Sequence, residues 1–273
     1  MNPEEIKSCC ADAYSKDIVA LLLGDSYHPG GTALTRRLAD RLALTPGGRV
    51  LDVASGRGTT ALLLADVYGV RADGIDYAPA NTALAQGAAE AAGLAERAVF
   101  TTGDAEHLPY DDEVFDAVVS ECALCTFPDK PRAAAEVARV LKPGGRLGIT
   151  DVTADTDRLP PELRGLTARI ACIADARPLD DYAELLAAAG LRTLTAERHD
   201  EAMIRMIDQV QARLDLLRIT APARLADAGV DLTAAPAVLD AARAAVTDGV
   251  LGYALLTAVK PHPDGPGDLP PGT

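Results

Sequence analysis

The residues best able to do chemistry begin with Val50-Leu-Asp-Val-Ala-Ser-Gly-Arg-Gly-Thr59, a hydrophobic strand signal that runs into a glycine turn and then a helix signal. Val and Leu in such a run fit a parallel strand buried on both faces. Gly56 and Gly58 let the backbone bend tightly and approach a ligand that a Cβ would hold away. Alone, the turn indicates a nucleotide pocket of unspecified kind, since Gly56-Arg-Gly-Thr-Thr-Ala61 also satisfies the dinucleotide pattern G-x-G-x-x-A. Three carboxylates narrow it. Asp76 closes the next strand signal about twenty residues on, where a carboxylate accepts hydrogen bonds from both ribose hydroxyls, although a strand-end Asp also starts turns. Asp52, at the end of the first strand, suits a positively charged amine and would repel a pyrophosphate. Asp104, in Gly103-Asp-Ala-Glu-His-Leu-Pro109 after the third strand, stands where an adenine amine needs an acceptor.

A second group is thiol chemistry. The fourth strand ends in Ser120-Glu-Cys-Ala-Leu-Cys-Thr-Phe-Pro-Asp-Lys130, which puts Cys122 at the carboxyl edge of a sheet, with Cys125 three residues on. Cys172 lies in Ile170-Ala-Cys-Ile-Ala-Asp175, and Cys9-Cys10 lie on an N-terminal helix that could fold over the same mouth. Thiolates bind soft elements, yet cysteine is also among the most buried residue types, and any of these five could fill a core, Cys172 between Ile170 and Ile173 most readily and Cys122 least. A structural zinc site is a third option, weakened by the lack of a second C-x-x-C. Among conventional bases, His28 in the turn Gly24-Asp-Ser-Tyr-His-Pro-Gly-Gly31 is best placed, although a turn histidine often only caps backbone. His107 and His199 read as surface residues, and Tyr14 and Tyr27 as packing.

The elements that must position these groups follow from periodicity. Residues 3–45 read as helices on either side of the Gly24–Gly31 turn. From Arg49 strands and helices alternate: strand 49–53, helix 58–68, strand 70–76, helix 79–92, strand 97–102, strand 115–121, helix 130–141, strand 145–151. Pro143-Gly-Gly145 reads as the stop of the preceding helix. Helical segments at 160–173 and 179–189 come next, and strands at 191–198 and 252–259 bracket a long Ala- and Leu-rich helical insert. The fold class expected is α/β, a doubly wound parallel sheet. The expected divisions are an N-terminal helical cap over 1–45, a cofactor-binding core over 46–151, cover helices with the last two strands over 152–260, and a disordered tail over 261–273.

At 273 residues and 48% hydrophobic, the chain can bury one substantial core with insertions, and its net charge of −14 argues against nucleic acid or an anionic membrane as partner. A small molecule is the expected partner. No run of about eighteen apolar residues occurs, and Met-Asn-Pro-Glu-Glu has neither the basic start nor the apolar stretch of a signal peptide, so the cytoplasm is the expected location and the cysteines are expected to be reduced.

Taken together, Leu51-Asp-Val-Ala-Ser-Gly-Arg-Gly58, Gly74-Ile-Asp76, Gly103-Asp-Ala105, Phe115-Asp-Ala-Val-Val119 and Leu141-Lys-Pro-Gly-Gly145 resemble, in order and spacing, the successive motifs of class I S-adenosylmethionine-dependent methyltransferases. The likeness covers about residues 46–151. It implies a seven-stranded Rossmann-like sheet with an antiparallel last strand, and S-adenosyl-L-methionine as cofactor. Carried over, Asp52 and the backbone at Ala54, Ser55, Gly56 and Gly58 hold the methionine part, Asp76 beside Tyr77 the ribose, Asp104 with Ala105 the adenine, and Glu121 borders the methyl group. Ala54 departs from the pattern, standing where the family has its first glycine.

The placing of Cys122 after strand four, Cys172 ahead of the Tyr182–Gly190 helix, the Cys9-Cys10 pair and Pro128-Asp-Lys130 further resemble the arsenite methyltransferases. That likeness implies a trivalent arsenical held by Cys122 and Cys172, with Cys9, Cys10 or Cys125 as third ligand or reductant and an external thiol reductant for turnover. It departs between Cys10 and strand one, where the family carries another cysteine. Two alternatives stay open: an O-, N- or C-methyltransferase of a small molecule with structural cysteines and His28 as base, and a non-catalytic thiol-based metalloid binder. Asp52, Asp76 and Asp104 together argue against the latter.

Overall fold

Apolar strand runs separated by helix-forming segments give, in the computed structural model, a single sheet with helices on both faces; the model describes residues 5, 7, 17–24, 26–164, 173, 175–227 and 233–263. In chain order the elements are α1 (Asp17–Leu23), α2 (Gly31–Arg41), β1 (Arg49–Val53), α3 (Thr59–Val67), β2 (Arg71–Asp76), α4 (Pro79–Ala91), β3 (Ala98–Thr102), β4 (Phe115–Glu121), α5 (Lys130–Val140), β5 (Leu141–Ala154), α6 (Leu179–Ala188), β6 (Arg192–Arg198), α7 (Asp200–Thr220), α8 (Pro222–Asp227), α9 (Ala235–Thr247) and β7 (Leu251–Val259). The strand order is β3-β2-β1-β4-β5-β7-β6. β7 runs antiparallel to both of its neighbours, and the pairings β1–β2, β1–β4, β2–β3 and β4–β5 are parallel. The order reverses between β1 and β4, so the loops leaving their carboxyl ends diverge and open a crevice there.

Side chains alternate between the two faces of each strand, and the two cores follow that parity. Leu51, Val53, Val118, Leu147 and Ile149 pack with Ala133 and Val137 of α5 and Tyr182 and Leu186 of α6. Val50, Val119, Val152, Tyr253 and Leu255 pack on the other face with Leu34 and Leu38 of α2, Leu64 of α3, Met203 and Ile207 of α7 and Ala242 and Val246 of α9. Each fully buried Leu or Val contributes roughly 1.5–3 kcal/mol of apolar burial. On this second face α1 and α9 both pack against α7 and form a helical cover.

Two expectations need correction. Pro143-Gly-Gly145 does not separate the helix from a strand starting at 145: β5 begins at Leu141, and the partner register slips from Phe115↔Leu141 to Ala117↔Arg146. Residues 142–145 stand against Asp116 alone, a register irregularity in a strand that then pairs with β7 from Arg146 as far as Ala154. The expected 160–173 helix is, where described, only a short 3-10 turn at Pro161–Leu163 ended by Arg164; residues 165–172 lie outside the described residues, as does most of the 261–273 tail. Among the described residues, no helix is long and apolar enough to cross a membrane.

Candidate active site

The crevice at the β1/β4 switch point widens into a cavity of about 570 Å³. Strand parity decides what faces it. Asp52 lies two residues beyond Val50, and Glu121 two beyond Val119, so both carboxylates emerge on the covered face at the carboxyl ends of adjacent strands. Beyond β1, Ala54 takes φ +60° and Gly56 φ +53°, and Gly58, at φ +83°, caps the start of α3. A Cβ on Gly58 would sit 2.7 Å from Phe100 Cζ and 2.9 Å from Ala85 Cβ, whereas one on Gly56 meets nothing within 4 Å. Gly58 thus secures the helix against the sheet, and Gly56 keeps the cavity side of the turn open.

The part of the cavity nearest this turn is strongly acidic, lined by Asp52, Asp76, Asp104 and Glu121. Asp52 is buried, and its Oδ2 accepts from the Ala61 amide at 3.1 Å. Burial first and the Glu121 carboxylate second push its carboxyl well above the usual carboxylate range, with the Ala61 hydrogen bond opposing and Asp76 adding. Asp76 Oδ2 accepts from the Gly56 amide at 2.8 Å, and its Oδ1 from the Ala78 amide at 2.9 Å and Asn81 Nδ2 at 3.1 Å; the same carboxylate therefore ties the glycine turn to the start of α4. Asp104 Oδ1 accepts from the Glu106 amide at 2.9 Å, and its Oδ2 is 2.7 Å from Lys7 Nζ, which also reaches Glu106 Oε2 at 2.6 Å. Burial would raise the Asp104 carboxyl, but the Lys7 and Glu106 hydrogen bonds outweigh it and the net shift is downward.

Farther along, His28, Glu121, Cys122, Tyr27 and Phe127 line the same cavity. His28 Nδ1 lies 3.2 Å from the Pro29 carbonyl oxygen, which accepts from the tautomer that carries its proton on Nδ1. Nε2, unprotonated in that tautomer, lies 3.3 Å from Thr35 Oγ1 and 3.5 Å from Glu121 Oε2. Thr35 has one hydroxyl proton and places it on Glu121 Oε2 at 2.9 Å. Thr60 donates to the same oxygen at 2.6 Å, and Thr150 donates to Oε1 at 3.2 Å. A neutral imidazole nitrogen beside a carboxylate held by three hydroxyls can take a proton and have the resulting cation compensated at once.

Of the residues expected from sequence, Asp52, Ala54, Ser55, Gly56, Asp76, Tyr77, Asp104, Ala105, Glu121, Cys122 and His28 line the cavity. Gly58 acts from behind. Cys122 is half-buried at φ +55°, its amide donating to the Thr150 carbonyl at 2.6 Å, so the chain turns sharply as it leaves β4. Cys125 does not join it: the 3-10 turn Leu124–Thr126 carries its side chain into the core of the covered face, and its amide donates to Asp151 Oδ2 at 3.0 Å. Cys9, Cys10 and Cys172 lie outside the described residues. His107 is exposed and neither it nor His199 lines the cavity. Sequence reasoning did not single out Lys7, Arg57, Asn81, Thr35, Thr60, Thr150 or Tyr253; the strand parity and register that gather the last two were the only signal available.

The residues present fit the cofactor that the resemblance implies. Carboxylates outnumber cations in the lining, which favours a cationic guest, the glycine turn offers close backbone approach, and Ser55 Oγ and Asn81 Oδ1, buried in the lining, have no hydrogen-bond partner among the described residues. Comparison with known proteins agrees. A family model described as "Methyltransferase domain" matches residues 51–149. The 27-O-demethylrifamycin SV methyltransferase of Amycolatopsis mediterranei (strain S699) is 32% identical over 271 residues, covering 92% of this chain and 95% of that one. An arsenite methyltransferase of Halobacterium salinarum is 33% identical over 168 residues, 59% of this chain and 41% of that one. Among solved structures, the (4+2)-cyclase SpnF is 28% identical with a TM-score of 0.74, covering 96% of this chain and 97% of that one.

Proposed function

The chain belongs to the class I S-adenosylmethionine-dependent methyltransferases, and from that premise we propose that it methylates a hydroxyl group of a small organic acceptor, with His28 as general base. The observation that carries the proposal is the pairing of His28 Nε2 with a Glu121 carboxylate fixed by Thr35, Thr60 and Thr150, inside the cavity that the glycine turn borders. S-adenosylmethionine, when bound, supplies an electrophilic sulfonium methyl group. Asp52 meets the amine of the methionine part, Asp76 the ribose, and Asp104 with Ala105 the adenine. His28 withdraws the hydroxyl proton at Nε2 as the oxygen attacks, Nδ1 remains on the Pro29 carbonyl, and Glu121 compensates the imidazolium. The apolar side of the pocket, with Tyr27 and Phe127, seats the carbon skeleton of the acceptor and keeps water from competing for the methyl group. The relative that spans nearly the whole chain acts, by its name, on a demethylated rifamycin, which supports a hydroxyl-bearing natural product as the acceptor class.

A second reading has one specific observation behind it: Cys122 lines the same cavity, as a thiol that binds a trivalent arsenical must. It draws support from the arsenite methyltransferase likeness and requires Cys172, Cys9 or Cys10 to complete the ligand set and an external thiol as reductant. Cys125, packed in the core, does not serve it.

One experiment separates the readings. The protein is incubated with S-adenosylmethionine and either 27-O-demethylrifamycin SV and simpler phenols and alcohols, or arsenite with glutathione, and products are read by mass spectrometry. The proposal expects a methyl ether whose rate falls about 10²–10⁴-fold in His28→Gln and persists in Cys122→Ser. Methylated arsenic that disappears in Cys122→Ser, with no methyl ether formed, overturns it in favour of the second reading.

A further inference from the structure

We infer that Thr150 and Tyr253, two residues of the sheet interior that touch neither cofactor nor acceptor space, form a hydroxyl relay that orients Glu121 toward His28 and act as positioning residues for the transfer step. The inference rests on the hydroxyl-methylation reading, and its test is independent of it.

The relay follows from register. Glu121 is the direct partner of Thr150 across the β4–β5 pairing, and Thr150 lies opposite Leu255 on β7. Tyr253, two residues from Leu255 and therefore on the same face, extends its ring alongside Thr150. Its hydroxyl donates to Thr150 Oγ1 at 2.9 Å, and Thr150 Oγ1 donates to Glu121 Oε1 at 3.2 Å. Both residues are completely buried and neither lines the cavity.

Direction is what makes this arrangement more than packing. A threonine hydroxyl has one proton and two lone pairs, and inside a sheet that proton is readily spent on a nearby carbonyl. Because Tyr253 donates into the Thr150 oxygen, the Thr150 proton is left for Glu121. Burial, followed by the Cys122, Glu121 and Asp151 charges, pushes the Tyr253 phenol well above its ordinary value, so Tyr253 stays protonated and remains the donor. Thr35 and Thr60 fix the other carboxylate oxygen. With both oxygens engaged the carboxylate cannot rotate, and Oε2 keeps its place beside His28 Nε2. Chained hydroxyl donors of this kind strengthen one another in a low-dielectric interior.

The test reads Glu121 itself by infrared difference spectroscopy, its carboxylate band isolated in each background by subtracting the corresponding Glu121→Gln spectrum. Thr150→Val and Tyr253→Phe should move the band in the same direction, Thr150→Ser should restore it, and Thr150→Val/Tyr253→Phe should move it no further than Thr150→Val alone. With an acceptor that the protein methylates, kcat should fall about tenfold in Tyr253→Phe at unchanged KM for the cofactor. An unmoved band in Tyr253→Phe, or additive shifts in the double variant, overturns the relay. Activity retained in His28→Gln with the band still moved by Tyr253→Phe removes the base assignment and leaves the relay standing.

Discussion

Replacing Asp52 with Asn should make the ligand-free protein more stable and the cofactor bind more weakly. Asp52 is 3% exposed, its Oδ2 accepts from the Ala61 amide at 3.1 Å, and its charge stands near Glu121 and Asp76. Asn keeps the Ala61 hydrogen bond through Oδ1 and removes a buried charge that burial and Glu121 both disfavour. Relief of such a site is typically worth about 1 kcal/mol, or roughly 2–4 °C in melting temperature for a domain of this size. The cofactor amine, in contrast, loses a charge-assisted hydrogen bond worth about 1.5–3 kcal/mol, which is a loss of about 10–150-fold in affinity.

The pH dependence has a definite sign. The native carboxyl of Asp52 holds its proton to a higher pH than the same group in the unfolded chain. Between those two values the native state binds more protons, so this group's contribution to stability is present at low pH and fades as pH rises through the native value. Only the ionised form pairs with a cation, so cofactor affinity rises with pH over the same window. Both slopes should flatten in Asp52→Asn. Differential scanning calorimetry gives the first, and isothermal titration with S-adenosylmethionine and with S-adenosylhomocysteine gives the second. The two ligands share the amine and differ in the sulfonium charge, so a loss common to both locates Asp52 at the amine. Undiminished affinity in Asp52→Asn at pH 8, or a ligand-free variant that melts below the parent, refutes the reasoning.

Two backbone predictions separate structure from binding within one turn. Gly58→Ala should lower the melting temperature by several degrees, because left-handed strain of about 1–2 kcal/mol adds to overpacking of about 1–3 kcal/mol against Phe100 and Ala85, whereas Gly56→Ala, with open space at its Cβ, should cost only the strain and weaken cofactor binding; thermal melts and titrations check both. Ala54, already at φ +60°, should accept Gly with a melting temperature up to a few degrees above the parent, as release of left-handed strain competes with the extra chain entropy of glycine; a clear fall would contradict that account.

What was legible in the sequence was whatever is encoded locally. The strand-turn-helix from Val50 to Thr59 and the strand-end carboxylates Asp52, Asp76 and Asp104 are contiguous signals, and their places along the cavity follow from a β-strand entering a glycine turn. The acceptor half was hidden because it is assembled across long separations: Thr35 reaches Glu121 across 86 residues, and Tyr253 reaches Thr150 across 103. Threonine and tyrosine in strands are common, and nothing marks the ones that converge until register is known. Cys122 and Cys125 show the same limit. They are three residues apart in sequence, but a left-handed residue followed by a 3-10 turn puts one at the cavity and the other in the core. Pro143-Gly-Gly145 follows the end of α5 at Val140 as read, but local signals could not show that Leu141 already pairs with Phe115 before the register moves to Arg146 opposite Ala117.

The two halves of the cavity are coupled through charge. In the proposed reaction, methyl transfer to a hydroxyl with proton loss to His28 moves one positive charge from the cofactor side to the imidazole and creates none. The compensating group need not move with it: Glu121 lines the cavity beside the acidic glycine-turn end and stands 3.5 Å from His28 Nε2, so one fixed carboxylate faces the charge before and after transfer. A carboxylate free to rotate would have to reorganise during the step, and holding it by three hydroxyls removes that cost beforehand. This separates two demands on the scaffold. In the proposed function Asp52, Asp76 and Asp104 hold the cofactor, and they stand at or just beyond the carboxyl ends of β1, β2 and β3. Orientation of Glu121 depends on β5, β7, α2 and α3 docking together, which ties reactivity to the integrity of the covered face. The same scaffold carries a cyclase as well as methyltransferases, so the chemistry rests on the side chains aimed into the crevice and not on the sheet that presents them.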